Sequence, residues 1–254
     1  MTKKIAAGIL AFVALFLNAC SAEKSNFLSI ATAANMQYAM EELVNEFEKQ
    51  TEIKCEIMVS SSGKLTAQII EGAPFDIFVS ADMKFPNKLN DEGFTQDEPK
   101  IYAYGKLILW TTKESIEPSV DLITENHIEH IAVANPKTAP YGKAAFEYLE
   151  NQNLLNIVKH KFVYGESVAQ TNQFITTGAA ELGFTSLSVV KAKNIQNIGN
   201  WIELKDSLYN PISQGVVILK NSKSNKNHVQ QFYNFLFSQE GKTILSKFGY
   251  KTDS

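Results

Sequence analysis

The sequence contains no arginine, because all 24 of its basic residues are lysines. Planar, bidentate recognition of a carboxylate or phosphate usually uses arginine. The absence therefore argues against a binding protein for amino acids or organic acids, because arginine is the residue that most often binds the carboxylate of such ligands. A compositional bias against arginine explains the same observation, so these ligands become less expected without being excluded.

Cysteine is nearly absent, with Cys20 and Cys55 as its two occurrences. Cys20 belongs to a predicted export leader, so no disulfide is expected within the folded part of the chain. Cys55 lies in an alternating apolar and polar segment, 53–59, which predicts a buried strand residue. His127 and His130 have a spacing that suits a metal, but no third ligand accompanies them, and no metal site is predicted.

An excess of positive charge is also missing. The formal net charge is -3, and it becomes about -5 when Lys3 and Lys4 are removed with the leader, which gives no support to a nucleic-acid partner. There is no low-complexity tract, and no apolar run after the leader is long enough to span a membrane. The remaining length of roughly 230 residues suits two lobes of about 100 residues each.

The first residues, 1–22, read as an export leader. A positively charged start precedes an apolar run, 5–17, that is too short to remain as a membrane span. The run ends in Leu-Asn-Ala-Cys at 17–20, which resembles the lipobox of bacterial lipoproteins and predicts lipidation of Cys20. Ordinary cleavage after Ala22 is the alternative. Both readings place the mature chain outside the cytoplasm, in the periplasm or on the outer surface of the cell membrane.

Strands alternate with helices along the rest of the chain. Segments 27–30, 53–59 and 75–80 read as strands, and the first two lead into helices through loops that end at Asn35, a predicted N-cap, and at Ser60–Gly63. This alternation predicts an α/β protein with mixed, mainly parallel sheets.

The pattern restarts beyond a continuous apolar strand at 107–111 and ends with a return strand at 214–219. This out-and-back path predicts a two-lobe binding protein of the type II class. Lobe I is expected to comprise 26–105 and 210–254, and lobe II 106–209. Ligands of such folds bind at the carboxyl ends of the strands, here in the cleft between the lobes.

Four strand-to-helix loops end in small or neutral residues at helix starts. Each start offers unpaired N–H groups and the positive end of a helix dipole, so that four together could hold an anion without any formal positive charge. For a single loop the alternative is that Asn35 or Ser62 merely caps its helix. The four loops contain Ala34-Asn35, Ser61-Ser62-Gly63, Tyr141-Gly142 and Ser167-Val168.

One long block of sequence resembles a known family. It begins Ser60-Ser61-Ser62-Gly63-Lys64-Leu65 and continues through Gly72-Ala73-Pro74-Phe75-Asp76-Ile77 to Asp82. The block is similar to a serine loop, a short helix and a Gly-Ala-Pro-x-Asp strand found in the periplasmic molybdate-binding proteins of ABC importers. The resemblance extends from about Asn26 to Tyr250.

The resemblance implies a set of oxyanion ligands. Asn35 matches the first-loop ligand, with the backbone of Ala34 beside it, and Ser62 matches the serine-loop ligand, with Ser61 next to it as a less certain contact. In the second lobe the resemblance implies contacts from Tyr141 and from the N–H of Val168. Where some members have a tyrosine after a Leu-Gly strand, this chain has Ser186, which leaves a fifth donor in doubt.

The implied function is capture of molybdate or tungstate and delivery to an ABC permease, by a monomer that needs no cofactor and has no catalytic residue. Two other readings stay open. One is a binding protein of the same fold for sulfate, thiosulfate or phosphate. The other is a secreted hydrolase that uses Ser62, although none of the four histidines has a spacing that ties it to that loop.

Overall fold

The computed structural model of the protein describes residues 27–252. The predicted leader and Cys20 lie outside this range. Ten strands form two five-stranded sheets in the described range. The first sheet contains β1 (Phe27–Ala33), β2 (Lys54–Ser60), β3 (Ile77–Val79), β4 (Lys100–Gly105) and β10 (Ile212–Ile218). The second contains β5 (Leu107–Thr111), β6 (Ile131–Ala134), β7 (Phe162–Gly165), β8 (Leu182–Ser186) and β9 (Asn200–Glu203).

Helices cover both sheets. None in the described range is long and apolar enough to cross a membrane. Those associated with the first sheet are α1 (Gln37–Thr51), α2 (Ser62–Ile70), α3 (Lys84–Asp91), α8 (Lys226–Phe237) and α9 (Gln239–Lys247). Those of the middle segment are α4 (Pro140–Asn151), α5 (Leu155–Val158), α6 (Val168–Thr176) and α7 (Leu187–Val190). Short 3₁₀ turns lie at Ala34–Met36, Asp121–Thr124, Lys159–Lys161 and Asp206–Leu208.

The two sheets share one topology, which confirms the predicted mixed, mainly parallel α/β fold. The strand orders are β2-β1-β3-β10-β4 and β7-β6-β8-β5-β9. In each sheet one strand runs against the other four, namely β10 in the first sheet and β5 in the second. Each of these strands enters from the opposite sheet, since β5 follows β4 after Lys106 and β10 follows β9. The chain therefore crosses between the sheets twice.

The first sheet is buried on both faces because its central strands are apolar at successive positions. Ile77 and Val79 pack in the main core, whereas Phe78 between them joins a second cluster beneath α2 and α3 with Leu65 and Leu89. Successive side chains of a strand point to opposite faces. The central strands are thereby held from both sides, and the ends of the strands are fixed.

Two local predictions are wrong. Asn35 is not an N-cap, because it lies inside the 3₁₀ turn that precedes α1 and its amide bonds to Gln214 and Tyr250 instead. The loops predicted to contain Tyr141-Gly142 and Ser60–Gly63 are shorter than expected, since α4 begins at Pro140 and α2 at Ser62. Proline suits the first helical turn because its fixed φ is already helical and its missing N–H would have had no partner there. Cys55 does lie in a strand, half-buried, and burial raises the pKa of its thiol to about 12.

Candidate functional site

The four helix starts predicted to bind an anion meet at one small cavity. Its empty space is about 180 Å³ with open solvent included, so only a small ligand can fit. The lining residues are Ala33, Ala34, Asn35, Ser61, Ser62, Ala81, Ala139, Pro140, Tyr141 and Val168. Six of the seven residues predicted from the sequence are therefore brought together, and the seventh, Ser186, does not line the cavity.

Ser62 is held so that its hydroxyl can donate into the cavity. It is the first residue of α2, it is fully buried, and Ser61 caps the helix by accepting a hydrogen bond from Lys64 N at 3.4 Å. Ser62 Oγ accepts from the N–H of Ala81 at 3.0 Å. Because that bond uses an acceptor position, the hydroxyl hydrogen of Ser62 remains free for a ligand oxygen.

Asn35 is fixed by the strand that returns from the second sheet. Its Nδ2 donates to Gln214 Oε1 at 2.8 Å and to Tyr250 Oη at 2.9 Å. Its Oδ1 is buried without a hydrogen-bond partner. Buried polar side-chain atoms are nearly always paired, so this unpaired oxygen is an unusual feature beside the cavity.

The second sheet contributes two helix starts. Val168 is the first residue of α6, whose N-cap Ser167 accepts from Gln170 N at 3.4 Å. Tyr141 is the second residue of α4, so its N–H is one of those that no residue within the helix can accept. The Tyr141 hydroxyl is buried beside Ser186, and it lies directly against Gly105.

Three interactions join the two sides of the cavity. Gly63 N donates to Thr138 O at 3.0 Å, and Ser188 Oγ donates to Asn35 O at 2.7 Å. Lys64, beside the serine loop, pairs with Glu166, beside the start of α6. These contacts close the cleft over the cavity.

The cavity carries no charged side chain. Its polar groups are hydroxyls, one amide and the backbone of helix starts. All four histidines lie in the described range, and none lines the cavity, so Ser62 has no histidine as a general base. The arrangement suits hydrogen bonding to an anion.

Burial keeps the phenols near the site neutral. It raises the pKa of Tyr141, of Tyr102 and of Tyr250 well above the usual value. A phenol whose pKa is higher in the folded than in the unfolded protein stabilises the fold fully below about pH 10, and that stabilisation is lost as the pH rises further.

We therefore expect the melting temperature to be insensitive to these phenols up to about pH 9 and to fall from about pH 10 upward. Absorbance of phenolate in the native protein should show at least these three tyrosines protonated at pH 10.5. Titration of all nine tyrosines near pH 10 with the fold intact would contradict this expectation.

Sequence reasoning missed the residues that hold Asn35. Gln214, Tyr102 and Ser188 are fully or almost fully buried and belong to one hydrogen-bonded group with Asn35 and Tyr250. The one available signal was Gln214, a polar residue at the start of an apolar strand. Ser186 belongs to the same group, because its hydroxyl shares a hydrogen bond of 2.6 Å with Ser188.

A larger cavity, of about 770 Å³ with open solvent included, lies where the chain crosses between the sheets. It is lined mainly by Tyr104, Lys106, Asp206 and Tyr209. Lys106 already pairs with Asp206 at 3.0 Å and with Glu203 at 3.4 Å. Its charge is neutralised locally, so this cavity is a poorer candidate for an anion.

The Lys64–Glu166 pair is expected to make a small contribution to closure, because both side chains are partly exposed. Lys64→Glu should weaken ligand binding about 2- to 5-fold, and adding Glu166→Lys should restore it. Calorimetry at low and high salt measures both effects, since salt screens an exposed pair.

The matched control is the same charge exchange at Lys88 and Glu92, a pair at the C-terminal end of α3 away from the cleft. If the double variant Lys64→Glu, Glu166→Lys still binds the ligand more weakly, the ion pair between these two positions is not what supports closure.

Comparison with known proteins shows which family the chain matches. Residues 28–251 match the profile described as bacterial extracellular solute-binding protein. The molybdate-binding protein ModA of Azotobacter vinelandii is 37% identical over 236 residues, which cover 92% of this chain and 93% of that protein. A protein of Bacillus subtilis, provisionally named ABC transporter substrate-binding lipoprotein YvgL, is 30% identical over the full length of both chains.

A solved structure of the Azotobacter vinelandii periplasmic molybdate-binding protein superimposes with a TM-score of 0.84 at 33% identity, covering 89% of this chain and all of the other. The family is one of binding proteins rather than enzymes, in agreement with the sequence prediction. With the profile matched over nearly the whole described chain, the protein belongs to the bacterial extracellular solute-binding protein family.

Proposed function

We propose that this protein captures molybdate or tungstate outside the cytoplasm and delivers it to the permease of an ABC importer. The observation that carries the proposal is the small, uncharged cavity at which four helix starts meet. Helix N-termini bind anions through their free N–H groups and the positive end of the dipole. The molybdate-binding relatives in Azotobacter support the choice of oxyanion.

The proposed ligands are the hydroxyl of Ser62 and the helix-start backbone at Ser62, Tyr141 and Val168, with Ala34 and Asn35 on the first-sheet side. Ser61 acts mainly as the helix cap. Ser186 acts through Ser188 rather than on the ligand, because its hydroxyl bonds to Ser188 and it lies outside the cavity lining.

The chemistry of this site favours an oxyanion that carries no proton. Hydrogen phosphate and its protonated relatives are held best where a charged acceptor takes the proton, and no carboxylate lines the cavity. Sulfate carries no proton at neutral pH, so its rejection depends on the size of the cavity. Molybdate and tungstate have nearly the same size and are expected to bind alike.

Binding is proposed to proceed by closure of two lobes, 26–105 with 210–254 and 106–209. The anion first meets one lobe, and the other then rotates onto it about the two crossings. The contacts of Gly63 with Thr138 and of Ser188 with Asn35 form only when the lobes meet. The closed form is the one offered to the permease.

We further propose that residues 1–22 direct export and that Cys20 anchors the monomeric protein by a lipid. The Bacillus relative with a lipoprotein name supports the anchor. Mass spectrometry of the protein from its native membrane should find a diacylated Cys20 at the mature N-terminus. A mature chain that begins after Ala22 would replace this proposal by secretion without an anchor.

Thermal unfolding in the presence of different anions tests the proposed function. A ligand present at 100 times its Kd stabilises the folded state by about 2.7 kcal/mol. Molybdate and tungstate should therefore raise the melting temperature by several degrees, whereas chloride at equal ionic strength should not. A rise with sulfate or phosphate and none with molybdate would overturn the choice of ligand.

A further inference from the structure

The hydrogen bond between Ser188 and Asn35 joins the two proposed lobes at a buried position. Ser188 lies on α7, in the lobe of the second sheet, and its Oγ donates to the main-chain oxygen of Asn35 at 2.7 Å. Ser188 is 3% exposed and Asn35 is 1% exposed. Asn35 lines the cavity, whereas Ser188 does not. The contact therefore acts on the cavity through one of its walls.

Both ends of this bond are held by groups of their own lobe. In the first lobe the Tyr250 hydroxyl also donates to Asn35 O, at 3.0 Å. In the second lobe Ser188 Oγ lies 2.6 Å from the Oγ of Ser186, which is fully buried at the end of β8. Since Ser188 donates its one hydrogen to Asn35, the hydrogen between the two serines comes from Ser186. Ser186 thus orients the Ser188 hydroxyl toward Asn35.

The bond from Ser188 to Asn35 already has the usual length of a hydrogen bond between two oxygen atoms. Such bonds most often have O···O distances of about 2.7–2.8 Å. The contact has little freedom to give way, because its acceptor is a main-chain atom and a serine oxygen is reached through one rotatable bond. The bond from Gly63 N to Thr138 O, at 3.0 Å, is a second short contact between the lobes. Further approach of the lobes would compress both bonds.

We propose that Ser188 is a positioning residue that stops closure of the lobes at a cavity size suited to molybdate and thereby disfavours sulfate. The proposal rests on the proposed function, because it concerns the selectivity of the same cavity. Sulfate is also a tetrahedral dianion, but it is smaller. Donors fixed on two lobes cannot all reach the smaller anion when the lobes stop too far apart. The bond between Ser188 and Asn35 is termed the closure stop below.

The ion pair of Lys64 with Glu166 is a different kind of contact between the lobes. Both side chains are long and partly exposed, so they can follow a change in the separation of the lobes by changing rotamer. This pair should support closure around either anion without setting the size of the cavity. It therefore provides a control for the closure stop.

Ser188→Ala should weaken molybdate binding about 2- to 10-fold, the effect of one neutral hydrogen bond. Sulfate should lose less affinity, or gain some, because the lobes can then approach the smaller anion more closely. The ratio of the molybdate affinity to the sulfate affinity should therefore fall at least about threefold. Titration calorimetry on the full protein measures both affinities, with weak sulfate binding measured by competition against molybdate.

Two further variants serve as controls. Ser188→Thr keeps the hydroxyl and should leave the affinity ratio near that of the unmodified protein. Lys64→Glu should weaken the binding of both anions by the same factor and leave the ratio unchanged. The melting temperature without anion reports any loss of folding. Equal weakening of both anions by Ser188→Ala would show that this serine only supports the fold, and the proposal would be wrong.

Ser186→Ala tests the closure stop without changing Ser188, which matters if Ser188→Ala folds poorly. The change removes the neighbour that orients Ser188, so it should lower the affinity ratio in the same direction. Added to Ser188→Ala, it should have little further effect, because it acts through that residue. An unchanged ratio in Ser186→Ala, or a full additional loss in the double variant, would contradict the proposal.

Failure of the proposed function would give a different pattern. If the unmodified protein prefers sulfate to molybdate, or binds neither, the proposed function is wrong and the closure stop is wrong with it. If the unmodified protein prefers molybdate and Ser188→Ala keeps the same preference, the closure stop alone is overturned.

Discussion

Ser62→Ala is expected to weaken molybdate binding about 10- to 150-fold, which corresponds to about 1.5–3 kcal/mol for a hydrogen bond to a charged group. The Ser62 hydroxyl is fully buried, and its acceptor position is used by Ala81 N–H at 3.0 Å. Its hydrogen therefore has the ligand as its remaining partner. Titration calorimetry of the variant with molybdate measures the loss.

Ser61→Ala is the matched control in the same loop. Ser61 caps α2, so this change should lower the free energy of unfolding by roughly 1 kcal/mol, the loss typical of a removed N-cap. The melting temperature should fall with it. Its effect on affinity should stay below about threefold. A large loss of affinity in Ser61→Ala combined with none in Ser62→Ala would show that the two serines have exchanged roles.

Gly63→Ala is expected to lower the affinity at least about tenfold, because it opposes closure of the lobes. A Cβ at this position would lie 2.9 Å from Thr138 Cα and 3.1 Å from Phe85 Cζ. Thr138 belongs to the second lobe, so opening the cleft relieves the closest contact. A ligand that binds the closed form loses affinity in proportion to the population of that form.

The melting temperature without ligand distinguishes this effect from misfolding, since it should change little in Gly63→Ala. Gln68→Ala, on the exposed face of the same helix, should leave affinity unchanged. Small-angle scattering with molybdate should show a more open molecule for the Gly63 variant. Unchanged affinity together with a fully closed scattering profile would refute the role given to this glycine.

The strand-and-helix pattern of the sequence was sufficient to predict the fold class and several of the strands, although β4 and β9 were not predicted. Strand β5 was predicted at its observed limits, 107–111, because a continuous apolar run between polar segments leaves little choice. Helix starts were harder to predict. Asn35 has the residue type of an N-cap, yet its side chain is used by Gln214, which lies 179 positions along the chain.

The residues around the cavity were predictable where local chemistry decides their position. Ser62 and Val168 follow strands and begin helices, so their placement depends on neighbours in sequence. The group that holds Asn35 depends on strand β10 returning from the second lobe and on Tyr250 near the end of the chain. No local pattern marks such distant partners.

The central claim is that this site selects molybdate or tungstate, and calorimetric titration of the purified protein with molybdate, sulfate and phosphate at neutral pH tests it most directly. The account predicts saturable binding of one molybdate per chain, with sulfate and phosphate weaker by at least about tenfold, or 1.4 kcal/mol. Tight binding of sulfate or phosphate without any response to molybdate would contradict it.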